Sequence, residues 1–529
     1  MKTLPPLRSV VVGLGEANRR WPWLLLLVWV AVYGRRPFEL GFYHDDWWQY
    51  VEPVRTTAFS TERWSAFIGW NTAYAPRPVF GAFSFLFASI SLDSPGVAQA
   101  LAALMALACA WSLRSWLAGL GAAGGPGSVL AADLAAVFWL TAPWSTGTTV
   151  FLGAAFGMLP AQFFLTEAAR LSLGAVIGPR RTAVIALLLV ASALSYETFY
   201  FCAFPVFLAQ WWSGRARFPS RRAAIFFWLA LAGAQGAAIG FNRAIAARNG
   251  GASKMFSVHW IDSWLHNLGS LPGTLAGTME AHDLWWAAGA AVVLGGTLFH
   301  LRRNRTELLA GRALIPAASM GAAGLVCVMV VAAIYALVGY EFTAAGVMGR
   351  TLGGVTWAVS LAIFGVVGCI GAGAPTLARR VALAGCGWTV VVQTAALHQH
   401  QTEWAGSWAA QREVIARAPL AKIGRLPPGS AVLFIGPDRF GVVEIFAAPW
   451  DLTAAVWSRE PLNRDRRPFQ IPVTFYPATR FYDWRFRAGQ LHQELPGFFK
   501  QSFAVQRLFV WDYAAATLVE VADGYTRLH

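Results

Sequence analysis

Between Trp21 and about residue 398 the chain is a succession of apolar runs, several of them free of charge over the length of a bilayer crossing. About 20 apolar residues suffice to span the hydrocarbon core as a helix. There is no water in that core, so a helix that satisfies its own backbone groups is the natural solution. Only 13% of the 529 residues are charged, against ~25% in ordinary soluble proteins. The expected fold class is an α-helical polytopic membrane protein.

The runs predict about eleven spans, near 20–37, 96–118, 129–145, 148–172, 182–195, 198–212, 223–246, 284–301, 313–339, 351–372 and 381–398. Arginine clusters orient them, because cytoplasmic loops collect basic residues. Arg8, Arg19 and Arg20 place the N-terminus inside, with the first span read as an uncleaved signal anchor. Arg180 and Arg181, Arg215 to Arg222, Arg302 to Arg305, and Arg379 and Arg380 mark later inner loops. Arg35 and Arg36 are a local exception on the outer side. The run 79–92 is too short for a perpendicular span and must begin and end outside, as a dipping or interfacial helix. The loops 38–76 and 247–283 are then the main outer ones. The five cysteines all fall in apolar runs, so no disulfide framework is expected.

From about residue 399 charges and prolines become frequent and no run reaches span length. Residues 431–436, after Pro427-Pro428-Gly429, read as a buried strand opened by a turn. Residues 442–446, 471–475, 508–512 and 517–521 are further strand candidates. The organisation expected is a membrane domain over 1–398 and a soluble α/β domain over 399–529 on the outer side.

Four groups carry chemistry. Asp45 and Asp46 lie in Phe42-Tyr43-His44-Asp45-Asp46-Trp47-Trp48, just outside the first span. The pair is either a solvated turn among interfacial aromatics or a working pair. In the second case one carboxylate acts as general base on an acceptor hydroxyl, or orients it. Adjacent carboxylates resist sharing one ionisation state, so their roles should be unequal, with Asp45 favoured as the base. His44 either tunes the pair or is an interfacial residue. Arg77, between Tyr74 and the dipping helix, either snorkels or offers its guanidinium to phosphate. Tyr196 and Glu197 sit where two short runs meet, and an ionisable residue there is functional by default. Arg350, downstream of Tyr340 and Glu341, breaks the positive-inside bias and invites a phosphate, unless it simply pairs with Glu341. His259, His266 and His282 lack a tight ligand spacing, so neither a metal nor another cofactor is indicated. The basic excess is not interleaved with a nucleic-acid fold, so no nucleic-acid partner is expected. The natural anionic partners are membrane lipids or a pyrophosphate.

On this layout and these motifs the chain resembles the GT-C superfamily of integral-membrane glycosyltransferases. His44-Asp45-Asp46-Trp47 resembles the acidic motif of the first outer loop, and Arg77-Pro78 the basic-Pro opening of a helix. Ser195-Tyr196-Glu197 is similar to a short outer break, and Gly349-Arg350 to a late Gly-Arg. The resemblance implies an inverting hexosyl- or pentosyltransferase in a bacterial inner membrane. Its donor would be a polyprenyl-phosphate sugar and its acceptor an envelope glycan, lipid or protein. By the same resemblance Asp45 and Asp46 inherit the acceptor role, and Arg77 and Arg350 the lipid phosphate. The chain departs from the pattern at 143–148, which has no carboxylate, and at Tyr196, where Lys is common. The competing readings are a transporter or flippase of lipid-linked glycans and a non-catalytic envelope scaffold. A transporter should show broken midplane helices or repeated halves, and the sequence has neither.

Overall fold

A computed structural model describes residues 22–34, 36–47, 75–91, 94–121, 126–174, 176–248, 259–276, 314–344, 346–446, 448–458, 473–479, 482–495 and 499–528. Tyr74 and most of the loop 38–76, the span expected over 284–301, His282, and the arginines at 8, 19, 20, 35 and 302–305 lie outside the described residues.

The described chain is mostly helical. Its principal helices are α1 (Pro22–Tyr33), α2 (Pro78–Ser91), α3 (Pro95–Gly121), α4 (Pro126–Thr141), α5 (Leu152–Leu171), α6 (Pro179–Ser195), α7 (Ala203–Trp212), α8 (Arg221–Arg248), α9 (Trp260–Ala276), α10 (Leu314–Leu337), α11 (Gly353–Gly373) and α12 (Pro375–Arg417). Pro78, Pro95, Pro179 and Pro375 each open a helix, where a missing N–H costs nothing and the fixed φ is already helical. Among the described residues five helices are long and apolar enough to cross a membrane, or six if the bent pair around Pro143 is one span. That is the make-up of a multi-pass membrane protein, and among the described residues these are fewer than the eleven spans expected of the full chain. The run 129–145 is bent by 53° at Ala142-Pro143, and the runs either side of Tyr196 fold as helices of 17 and 10 residues.

One expected loop is partly a helix. Residues 247–283 read as polar, yet α9 lies within them. Its apolar residues recur at helical spacing (Trp260, Ile261, Trp264, Leu265, Leu268, Leu271), a period that the interspersed polar groups obscure. Trp264 Nε1 donates to Met329 O on α10 at 3.0 Å, and Asn267 Nδ2 donates to Tyr340 O at 3.1 Å.

Small residues let the bundle close. A Cβ on Gly365 of α11 would stand 2.3 Å from the Cα of Gly321 on α10, so the two backbones touch. Trp116 and Trp357 stack at 6.3 Å in the centre. Arg114 of α3 and Asp133 of α4 form a fully buried ion pair at 2.6 Å. Removing one partner of such a pair would cost ~3–5 kcal/mol, because the other charge stays buried alone.

The ends of the bundle differ. Gly174 N donates to Arg215 O at 3.2 Å and Ile177 N to Arg217 O at 2.8 Å. These bonds tie the loops after α5 and α7 together, with Arg180, Arg181, Arg221 and Arg222 at the adjoining helix starts. The other ends of α5, α6 and α7 carry Phe151, Tyr196 and Cys202.

Helix α12 runs through residue 398, so the domain boundary expected there falls inside it; a π turn at Thr389–Gln393 interrupts it without breaking it. Strands begin at Ser430. The first sheet is mixed, in the order β4 (Thr474–Pro477), β1 (Ser430–Ile435), β8 (Arg507–Asp512), β9 (Thr517–Val521), with β1 parallel to both neighbours. Helix α13 (Pro449–Trp457) crosses over from the β1 side to β4. The second sheet is antiparallel, in the order β10 (Thr526–Arg527), β5 (Asp483–Arg487), β6 (Gln490–Leu495), β7 (Phe499–Ala504). The reading for apolar runs missed β5 to β7, since strands such as Asp-Trp-Arg-Phe-Arg alternate and bury only every second residue. The strand expected at 471–475 is displaced to Thr474–Pro477, and of 442–446 only β3 (Val443–Glu444) forms, paired with β2 (Arg439–Phe440).

Candidate active site

The segment after α1 is folded tightly against α12 and the start of α5. Tyr43 is buried; its hydroxyl donates to Trp404 O at 2.8 Å and accepts from Gly41 N at 3.1 Å. Trp47 Nε1 donates to Gln411 Oε1 at 2.8 Å and its ring stacks on Trp408. Gln99 of α3 clamps the same segment, donating to Gly41 O and Val150 O at 2.8 Å each. Between these pins His44 sits at φ +47°, a left-handed conformation that costs a residue with a Cβ ~1–2 kcal/mol.

This turn separates the two carboxylates. Asp46 is fully buried and accepts three backbone N–H groups, from Tyr43 at 3.0 Å, Leu152 at 3.3 Å and Gly153 at 2.6 Å. It holds the N-terminus of α5, where the helix dipole favours an anion. Burial pushes its carboxyl up to about 8, the three N–H groups pull it back, and Asp45 adds to the rise. Asp45 turns outward and is 20% exposed. Its Oδ1 accepts from Trp450 Nε1 at 2.7 Å and lies 2.8 Å from His44 Nδ1, an ion-pair distance off the line of a good hydrogen bond.

Burial works against both charges of the His44–Asp45 pair, and their mutual attraction outweighs it. His44 is raised to about 9. Asp45 is held well below the usual carboxylate range, with the Trp450 bond and the Arg350 charge helping. The pair is therefore ionised at neutral pH.

Arg350 lies in the last turn of a 3-10 segment, Gly346–Leu352, ahead of α11. Its guanidinium lies 5.5 Å from the ring centroid of Phe151, which also meets the His44 ring edge-on at 6.1 Å. The turn after Pro143 backs this arginine. A Cβ on Gly147 would be 2.5 Å from Arg350 N, so only glycine fits. The turn at 143–148, which has no carboxylate, thus supports a cation by close backbone contact.

Arg77 is arranged differently. Its Nε donates to Glu197 Oε1 at 2.7 Å, and its guanidinium lies over Tyr196 at 5.0 Å. Tyr196 faces Phe80 of α2. Glu341 is exposed and forms no ion pair with Arg350 among the described residues. The structure thus brings His44, Asp45, Asp46, Arg77, Tyr196, Glu197 and Arg350 to one end of the bundle, away from the arginine-marked loops, with Glu341 exposed beside Tyr340.

Sequence reasoning missed Trp450, Asp451 and Phe151. Asp451, buried at the start of α13, accepts from Ala448 N and Leu452 N and adds its field to His44. Pro449 followed by Asp451 was a legible helix start, but nothing in the sequence ties it to residue 45. Among the described residues no three His, Cys, Asp or Glu side chains gather as metal ligands. No protein-family model matches the chain, and no curated protein matches it.

Proposed function

We propose that the chain is a GT-C-type membrane glycosyltransferase that moves a sugar from a polyprenyl-phosphate donor to an envelope glycan, lipid or protein. One observation carries the reading. An ionised, partly open carboxylate (Asp45) lies within the field of a guanidinium (Arg350) that forms no ion pair among the described residues, at the end of an apolar helix bundle. A donor whose lipid tail lies in the bilayer would present its phosphate at that depth.

The chemistry follows from the charges. Arg350, with the His44 imidazolium nearby, suits the charge that grows on the phosphate as the sugar C1–O bond breaks. The acceptor hydroxyl gives its proton towards Asp45 Oδ2 while its oxygen bonds to C1 from the opposite face, which inverts the anomeric centre. Held so far below the usual range, Asp45 is a weak base; it orients the hydroxyl first and takes the proton only as the new bond forms. Arg77 is already matched by Glu197, so the pair shapes the site through Tyr196 and is the lesser phosphate ligand. By the positive-inside rule the arginine-marked end favours the cytoplasmic side, which supports an extracytoplasmic site and C-terminal domain in the bacterial inner membrane of this reading.

The test is reconstitution in nanodiscs with undecaprenyl-phosphate pentose and hexose donors and an envelope extract. Mass spectrometry should show sugar transfer that Asp45→Asn removes. A wild-type protein that releases undecaprenyl phosphate from no donor refutes the reading. A reporter fused after His529 that is active only in the cytoplasm refutes the orientation.

A further inference from the structure

The C-terminal domain reaches into the site at one point. Trp450, at the second position of α13, donates its indole N–H to Asp45 Oδ1 at 2.7 Å and meets the His44 ring edge-on at 6.3 Å. Its own backbone is fixed. Buried Asp451 holds the helix start, and Thr453 Oγ1 accepts from Phe475 N at 3.0 Å, tying α13 to β4. A rigidly held indole would be expected to bury its ring, yet Trp450 is 46% exposed. The Asp45 contacts with Trp450 and His44 both fall on Oδ1, Oδ2 has no hydrogen-bond partner among the described residues, and the side chain is 20% exposed.

We infer that Trp450 positions the acceptor: its N–H fixes Asp45, and its open ring face is the platform on which an acceptor sugar lies. The inference rests on the transferase reading above and narrows its acceptor to a carbohydrate. A sugar ring presents C–H groups on its face and hydroxyls on its edge. An indole face beside a free carboxylate oxygen matches both at once. The donor phosphate is drawn to the Arg350 guanidinium and the acceptor ring to the Trp450 face, so the two are sorted between these side chains. The domain also braces Arg350. Ser407 Oγ on α12 donates to Glu444 O at 2.9 Å, and Val442 O of the β2–β3 hairpin lies against Gly346.

The experiment uses the full-length protein in nanodiscs, the undecaprenyl-phosphate sugar that proves competent, and methyl hexosides and pentosides as acceptor probes. Trp450→Ala should raise the acceptor KM about 10-fold and leave the donor KM unchanged. Trp450→Phe keeps a ring and loses the N–H. It should hold the acceptor KM within about 2-fold, lower kcat, and move the acid limb of kcat/KM to higher pH, since Asp45 loses a donor that stabilises its charge. An unchanged acceptor KM in Trp450→Ala overturns the inference, as do parallel losses in every parameter of both variants. Transfer to an envelope lipid or peptide but to no glycoside overturns the carbohydrate acceptor alone. A wild-type protein that transfers nothing overturns the transferase reading and this inference with it.

Discussion

The two arginines of the site are held in opposite ways. Arg77 is matched at 2.7 Å by Glu197, and both side chains are about one-quarter to one-third exposed, at 26% and 30%. Arg350 lies over a phenyl ring and shares its surroundings with the already paired His44 and Asp45. His44 is paired with Asp45 and feels Asp451 as well, so the unbalanced charge on this side is the Arg350 guanidinium, which forms no ion pair among the described residues, whereas Arg77 and Glu197 cancel. A positive surplus attracts an anionic ligand; a neutral pair mainly fixes geometry. Identical residue types thus take different work from their partners, and the partners come from distant parts of the chain.

The largest expected effect lies on the surplus side. Asp45→Asn keeps the shape and removes the charge, and it should lower turnover ~10²–10⁴-fold with donor binding retained. Near wild-type transfer would reduce the acidic turn to scaffolding. Arg350→Ala should weaken donor affinity ~10–100-fold, the worth of one charge-assisted hydrogen bond in ~1.5–3 kcal/mol, read as donor KM. Arg77→Ala should raise donor KM far less than Arg350→Ala does. If the two variants lose donor equally, the comparison collapses.

A smaller effect sharpens the neutral side. Arg77→Ala and Glu197→Ala should each lower Tm, and the double variant should lose less than their sum, with a coupling of ~0.5–1 kcal/mol for a pair open to solvent. Simple additivity would mean that the 2.7 Å contact contributes nothing. On the surplus side, Asp46→Asn should cost ~1–3 kcal/mol of stability, because an amide NH₂ would face backbone N–H groups.

The pH dependence is the finest probe. His44 rises from 6.5 to about 9 on folding, so its stabilisation is full below about pH 6.5 and is lost as pH climbs through about 9. Asp45 shifts the other way from 3.8, so its share is present above that value and is lost only as pH falls through its lowered folded value. The Tm deficit of His44→Gln should therefore be constant up to about pH 6.5, shrink above it and vanish past about pH 9. A deficit that stays level to about pH 10 would show that His44 contributes by packing alone.

Much of this was legible in the sequence, and the limit is physical. The apolar runs and arginine clusters announced a membrane bundle with two unlike ends. His44-Asp45-Asp46, Arg77-Pro78, Tyr196-Glu197 and Gly349-Arg350 were singled out as short local motifs, and the structure brings them to one end. Partnerships were not legible. Glu341 was the near candidate for Arg350, yet it is exposed, and the carboxylate that finds an arginine is Glu197, 120 residues from Arg77. Nor could adjacency in sequence say which aspartate would cap α5 and which would stay open, because the left-handed turn at His44 decides that. Contacts across hundreds of residues leave no period to read.

The bond between Trp450 and Asp45 closes a loop of 405 residues, and that has a consequence in time. Ribosomes add ~5–20 residues per second, so about 20–80 s separate the synthesis of the aspartate from that of the indole. Throughout that interval the first turn and its carboxylates exist without the corner that completes them. The last piece is made only after α12 and β1. The contact between aspartate and indole is thus a late event in the making of the chain, the seating of α13 beside the turn that was made first.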